Sequence, residues 1–279
     1  MAKAVAKKKK KSTAVAKKKK STAVTFDDGM VADDFSGNAG AGMENVTASD
    51  LLVPRLAILQ ALSPQISKKK AEYIEGAEVG DICDVGTGQI FDGGVLFLPV
   101  FYRKDYLEWA PRASSQGLVN IHSDPAILDE TTRNEKKQPI LANGNYIAET
   151  AQFFGLNLTA DSTKCFLPMA STQLKKARKW LTLATGEKLT RADGSTFTPP
   201  LFYRAYSLTT AEESNAEGEW VGWKIDRAFT LPELEGEGFN WRALKADCED
   251  FLKTLAKGTV SGDVSSMRPG SSDDDEEEM

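Results

Sequence analysis

Residues 89–112, QIFDGGVLFLPVFYRKDYLEWAPR, hold the longest near-continuous apolar run in the chain and, directly after it, an interleaved set of aromatic and basic residues. Val95 to Tyr102 is apolar on both alternating faces, as in a strand buried on two sides. Pro99 cannot donate to a ladder and therefore marks an edge position or a bulge. Past it, side chains alternate across the strand, so Tyr102, Lys104 and Tyr106 share one face. Arg103, Leu107 and Trp109 lie on the other, with Asp105 between them. Aromatic, cation, aromatic on one face outlines a platform on which flat rings could stack.

The rest of the composition narrows the function classes. No apolar run approaches the ~20 residues of a transmembrane helix. The lysine-rich start lacks the apolar segment of a signal peptide, so a cytoplasmic location and no membrane partner are expected. Cys83, Cys165 and Cys248 are odd in number and widely spaced, which suits reduced thiols rather than a disulfide framework. There is no paired-cysteine spacing and a single histidine, His122, so no metal site is expected. A lone histidine in the polar stretch 120–124 reads as a solvated loop residue, with no nucleophile motif beside it. No phosphate-binding glycine motif with its lysine and hydroxyl is present; VGTGQIFDGG reads as hairpin turns. Neither an enzyme nor a cofactor is expected.

The net charge of −5 conceals an asymmetry. Residues 1–24 carry ten lysines and no acid, residues 268–279 six acids against Arg268, and the remaining body 24 basic and 34 acidic residues. Polyanion affinity must then come from a local patch rather than from the field of the whole body. The sequence divides into a lysine-rich arm and linker at 1–43, one folded domain at 44–258 and an acidic tail at 259–279; neither flank can bury a core. The arm fits a polyanion-binding extension or a solubilising tail equally.

Within the domain, Ser49 or Asp50 could cap a helix, whereas the alternation of Leu56, Ile58 and Gln60 allows a strand. Lys68 to Lys70 form an exposed basic turn and Asp81–Val85 a strand. The polar section 113–145 has no clear period and reads as a long loop. Tyr146–Leu158 and Lys164–Met169 read as strands. STQLKKARKWLTLATG then reads as a helix capped by Ser171 and closed by Gly186. Its apolar half carries Leu174, Ala177, Trp180 and Leu181; Lys175, Lys176, Arg178 and Lys179 lie on the other. Leu201–Thr209 and Glu219–Thr230 make a hairpin in which Val221, Trp223 and Ile225 face a core, leaving Trp220 and Lys224 opposite. FNWRALKADCEDFLKTLAKG is an amphipathic helix with Cys248 on its buried stripe.

Binding single strands without sequence preference takes rings for the bases, cations along the backbone and a rigid sheet to hold both. The candidates are Tyr102, Lys104, Tyr106, Trp109, Arg112, Lys175, Lys176, Arg178, Lys179, Tyr203, Arg204, Tyr206, Trp220 and Lys224. For any one ring in a strand, core packing is the commoner role, and a lysine face on a helix is commonly just solvated.

The runs ENVTASDLLVPRLAILQALSPQISKKKAEYIEGAEVGDI, VLFLPVFYRKDYLEWAPR and STQLKKARKWLTL resemble a family of tailed-bacteriophage single-stranded DNA-binding proteins, over about residues 44–258. The resemblance implies an OB-type barrel and an acidic C-terminal tail. Together with the pattern above, the expectation is an α+β, β-rich domain. Its form would be an OB-like barrel or a strongly twisted antiparallel sheet elaborated with helices. The expected function is coating single-stranded DNA in replication and recombination. The run Asp273–Glu278 would contact replication or recombination proteins, and a homo-oligomer is compatible with the reading. The alternatives are a virion structural or assembly protein and a strand-annealing recombination protein.

Overall fold

A computed structural model of the chain describes Gly37, residues 41–44, residues 53–258 apart from 112, 115, 136, 216 and 217, and Gly262 and Val264. The lysine-rich residues 1–24, the cap candidates Ser49 and Asp50, Arg112 and the acidic run Asp273–Glu278 lie outside the described residues. The chain divides into Met1–Ala39, where the described residue is the exposed turn Gly37, and Gly40–Met279, which holds every element below.

The strands in chain order begin with β1 (Leu56–Ile58), β2 (Ile82–Asp84), β3 (Gln89–Phe91), β4 (Val95–Trp109) and β5 (Leu118–His122). They continue with β6 (Thr132–Arg133), β7 (Pro139–Ile140), β8 (Tyr146–Asn157) and β9 (Thr163–Ala170). Helix α1 (Leu174–Thr185) follows, then β10 (Leu189–Thr190), β11 (Thr196–Phe197), β12 (Arg204–Asn215), β13 (Gly218–Thr230) and helix α2 (Trp241–Ala256). The fold is the expected β-rich α+β, in the form of an eight-stranded antiparallel sheet curled into a half-barrel, in the order β13-β12-β4-β8-β7-β6, with β5 on β4 and β9 on β8. A three-stranded sheet, β1-β2-β3, and the two-stranded β10-β11 complete it. No helix among the described residues is long and apolar enough to cross a membrane.

β4 is the central strand, and Pro99 resolves as a bulge rather than an edge. The register with β8 shifts between Pro99 and Phe101, so Val100 is the extra residue. The shift decides which face each later side chain takes. Val95 and Phe97 point into one core with Phe153, Trp180, Tyr206 and Trp223, while Leu98, Val100, Leu107 and Trp109 point into another with Phe154, Phe251 and Leu255. Without an inserted residue one strand could not feed an apolar run to both cores and then put Tyr102 back on the first side. Opposite Pro99 stands Gly155. A Cβ there would run into the Leu98 carbonyl oxygen and come within 2.6 Å of Phe97 Cζ, so only glycine lets the bulged strand approach β8.

One helix covers each face. α1 docks through Ala177 and Trp180, the indole stacked on Phe153 at 4.1 Å and edge-on to Phe97 and Tyr206. Its start differs from the expected cap. Ser171 opens a single 3-10 turn at φ +50°, the N-cap position falls on Gln173, and the Gln173 side chain instead accepts the Trp223 N–H at 3.1 Å. α2 is capped at its start by Asn240, whose side chain accepts from the Arg242 and Ala243 N–H groups, and it buries Leu244, Cys248, Phe251 and Leu255. Burial pushes the Cys248 thiol up to about 12, as befits a core residue.

Two further boundaries depart from expectation. β12 begins at Arg204 rather than Leu201, because Pro199 and Pro200 lead into a 3-10 turn at Leu201–Tyr203. The section 113–145 is not a bare loop: it contains β5, β6, β7 and a 3-10 turn at Pro125–Glu130, elements too short to leave a period. Gly155→Ala is expected to cost about 3 kcal/mol through overpacking at the bulge, measured by denaturant unfolding; a loss under ~0.5 kcal/mol would mean the strands can separate there freely.

Candidate nucleic-acid interface

The α1 side of the sheet carries a cluster of basic side chains. Beyond the bulge, Tyr102 and Lys104 lie on this side, the Tyr102 ring 5.1 Å from Phe153. Lys104 Nζ sits 2.8 Å from Glu149 Oε1 of β8, and Arg178 of α1 reaches the same oxygen at 3.3 Å. Burial raises the Glu149 carboxyl, but the two cations outweigh it and hold the group below its ordinary range. Its hydrogen bond in turn raises Lys104. Three elements thus meet at one carboxylate. Arg178 remains 67% exposed, and Lys175 and Lys179, one helical turn apart on the same ridge, are exposed with no carboxylate partner among the described residues.

The remaining candidates divide by what already holds them. Lys176 is paired with Glu213, which also accepts the Trp220 indole N–H at 2.9 Å. This pair lies over Gly222, in space a Cβ would fill. Trp220 and Lys224 alternate with Trp223, which faces the α1-side core, so their side chains leave the opposite face of β13, where Lys176 of α1 still reaches the Glu213 that holds Trp220. Lys224 is exposed, 3.4 Å from Asp226. Arg204 forms a two-pronged pair with Glu187, Nε to Oε2 at 2.9 Å and the terminal nitrogen to Oε1 at 2.5 Å, both side chains mostly buried. That pairing holds Glu187 below the usual carboxylate range. Tyr203 is partly exposed in a shallow recess with Ala184 and Pro200.

Tyr106, Trp109 and Tyr206 are 6%, 4% and 1% exposed and pack in the cores, which leaves them no open ring face for a base. The structure thus brings together Tyr102, Lys104, Arg178, Lys175 and Lys179; it turns Lys224 to the other face of β13, ties Trp220 to the Glu213 partner of Lys176, and spends Lys176 and Arg204 on internal ion pairs.

Sequence reading missed several organising groups. Glu149 has no pattern to distinguish it from other strand acids. His122, expected in a solvated loop, is half-buried on β5 with Nε2 2.9 Å from Glu108 Oε2. Asn145 donates to Glu108 Oε1 at 2.6 Å, and this bond, with His122 and Asn143, holds the Glu108 carboxyl low against its burial. On the other face Asp105, fully buried, meets Arg103 Nε at 2.8 Å and accepts from Gln152 at 2.8 Å and Ser123 at 3.2 Å. These networks stiffen the strand ends around the α1 face. A separate cleft of ≈ 430 Å³ between β1–β3 and the β12–β13 hairpin is lined by Asp81, Asp92 and Glu212, the wrong charge for a polyanion. No grouping of potential metal ligands occurs among the described residues.

The class defined by the geometry is a curled antiparallel β half-barrel with a basic helix laid on one face. The sequence profile of the Pam3 phage gp34-like protein family matches residues 18–260, and the chain belongs to this family of phage proteins. No curated protein and no solved structure matches it.

The Arg204–Glu187 pair makes a pH prediction. A lowered carboxyl contributes stability that is present above its unfolded value of 4.5 and lost as pH falls through the folded value. Glu187→Gln should therefore destabilise the protein by about 2 kcal/mol at neutral pH, and the gap to wild type should close on acidification below that value. Thermal melts across pH check it; a gap independent of pH would contradict the assignment.

Proposed function

We propose that the chain binds single-stranded DNA without sequence preference and without catalysis, along the α1 ridge and the neighbouring Tyr102 and Lys104 of β4. The observation that carries this reading is the convergence of Lys104 and Arg178 on Glu149, beside Lys175 and Lys179, which are unpaired among the described residues. A phosphodiester would replace Glu149 as the partner of two cations already held in place, and Lys175 and Lys179 would extend the track along the helix. Membership in a family of phage proteins is compatible with the proposed role on DNA in replication or recombination. The net acidic body restricts binding to this patch, and the run Asp273–Glu278 is left for replication or recombination proteins.

Magnitudes decide the character of the binding. Stacking contributes about 1–3 kcal/mol per base, and Tyr102 and Tyr203 are partly exposed candidate rings near α1, with Trp220 beside Glu213 and Lys176. Cations therefore lead and rings assist. Titration of oligo-dT by fluorescence anisotropy should give affinity that falls steeply with salt. Lys175→Ala with Lys179→Ala should flatten the slope of log K against log salt by about 1.4, at roughly 0.7 per phosphate contact, while Lys224→Ala leaves it unchanged. No binding at low salt, or a slope insensitive to the α1 lysines, would overturn the reading in favour of a virion or assembly protein whose aromatic strands are purely core.

A further inference from the structure

β4 is paired unequally on its two sides. β8 runs beside it from Phe97 to Trp109. On the other side β12 pairs only with Val95–Phe97 and β5 only with Tyr106–Trp109, so Leu98–Asp105 has no strand partner there among the described residues. Prolines stop β12 from continuing as a strand: after Pro199 and Pro200 the 3-10 turn at Leu201–Tyr203 packs beside β4 through Phe202 without forming a ladder, so the open part of the gap centres on Tyr102 and Lys104. β5 ends at His122, and Ser123 folds back to bond Asp105.

Two independent features fix the direction of the backbone groups in this gap. The Phe166 N–H bonds the Pro54 carbonyl, so it points away from β8. In an antiparallel ladder Phe153 and Ala151 then bond β9, while Phe154, Gln152 and Thr150 bond β4 at Phe101, Arg103 and Asp105. Pro168, opposite Gln152, agrees, because its missing N–H falls at a position that needs none. From the other end, the Ile121 N–H bonds the Asn120 side chain instead of β4, so Tyr106 and Glu108 are the residues of β4 bonded to β5. Both routes turn the N–H and C=O of Tyr102 and Lys104 into the gap. These groups have no hydrogen-bond partner among the described residues.

A row of unpaired groups in mid-sheet is costly unless something satisfies it. Donor and acceptor alternate along it, which matches a polypeptide backbone; a phosphodiester offers acceptors only. A segment entering here would run antiparallel to β4, in line with β5 and β12. Arg103 and Lys104, paired with Asp105 and Glu149 but still 29% and 37% exposed, flank it on opposite faces, and their remaining N–H groups favour acidic side chains on the incoming segment.

We propose that the gap beside Tyr102 and Lys104 is a strand-addition site for an extended acidic segment of a partner polypeptide. Amide hydrogen exchange followed by NMR on the full chain tests it. In the chain alone, Tyr102 and Lys104 amides should exchange at least about tenfold faster than those of Arg103 and Asp105, which bond β8. A short synthetic peptide of alternating Glu and Val should slow these two amides at least about tenfold, and one of alternating Lys and Val should not. Lys104→Pro, which removes an N–H that β8 does not use, should abolish the peptide's protection of the Tyr102 amide while the β8 amides stay slow. Fast β8 amides in that variant would instead mean that Lys104 belongs to the β8 ladder and overturn the assigned direction. Protection of Tyr102 and Lys104 in the chain alone would mean that one of its own segments fills the gap. Protection by oligo-dT but not by the Glu–Val peptide would make it a nucleic-acid contact. Either result, or no protection by the Glu–Val peptide, overturns the proposal, and the peptide result does not depend on whether the α1 ridge binds DNA.

Discussion

The single inserted residue at Val100 is the constraint from which the rest of the structure follows. β4 must deliver apolar side chains to two cores and then present Tyr102 and Lys104 beside α1, and a regular strand of period two cannot do all three. The bulge shifts the register once, Pro99 needs no ladder hydrogen at that point, and Gly155 supplies the room across the strand pair. With the register set, Phe153 stands where Trp180 can stack on it, and the stack fixes α1 on the sheet with its lysines outward. The surface chemistry is thus a consequence of backbone geometry several residues away.

Electrostatics on that surface are arranged around one acid. Glu149 holds Lys104 and Arg178, from different elements, at one oxygen. Such an arrangement keeps two cations positioned and partly neutralised, so less side-chain freedom would be lost in the proposed binding of a polyanion. Elsewhere cations are committed. Arg204 and Lys176 close ion pairs that tie α1 and its following turn to the β12–β13 hairpin, and Arg227 donates to the Leu183 carbonyl at the end of α1 at 2.7 Å. The exposed edge of β13 is covered by side-chain amides, Gln60 bonding Val221 and Gln173 bonding Trp223, which blunts it against unintended pairing.

Much of this was legible in the sequence, and the failures have physical causes. The alternation that puts Tyr102, Lys104 and Tyr106 on one face is a local property and reads directly. The burial of Tyr106 is not local: its cover is β5, opposite at His122, in a polar stretch whose strands are too short for a period. The basic helix reads from its wheel, but Ser171 as its cap does not survive, because the 3-10 turn places Gln173 at the N-cap. Phe101-Tyr102-Arg103 and Phe202-Tyr203-Arg204 are the same tripeptide. The first is extended in the middle of a strand, and the second crosses from a 3-10 turn into one, because two prolines precede it. Glu149 and Glu108 gained their importance from partners on other elements, which no single stretch can announce.

The central claim is that, among the described basic surfaces, the α1 ridge receives nucleic acid. Lysine acetylation footprinting with and without oligo-dT tests it most directly, since every exposed lysine reports at once. The account predicts protection at Lys175 and Lys179, with Lys224 on the opposite side and the turn Lys68–Lys70 unchanged. Protection at Lys224 or Lys68–Lys70 with none on α1, or no protection anywhere, would contradict it.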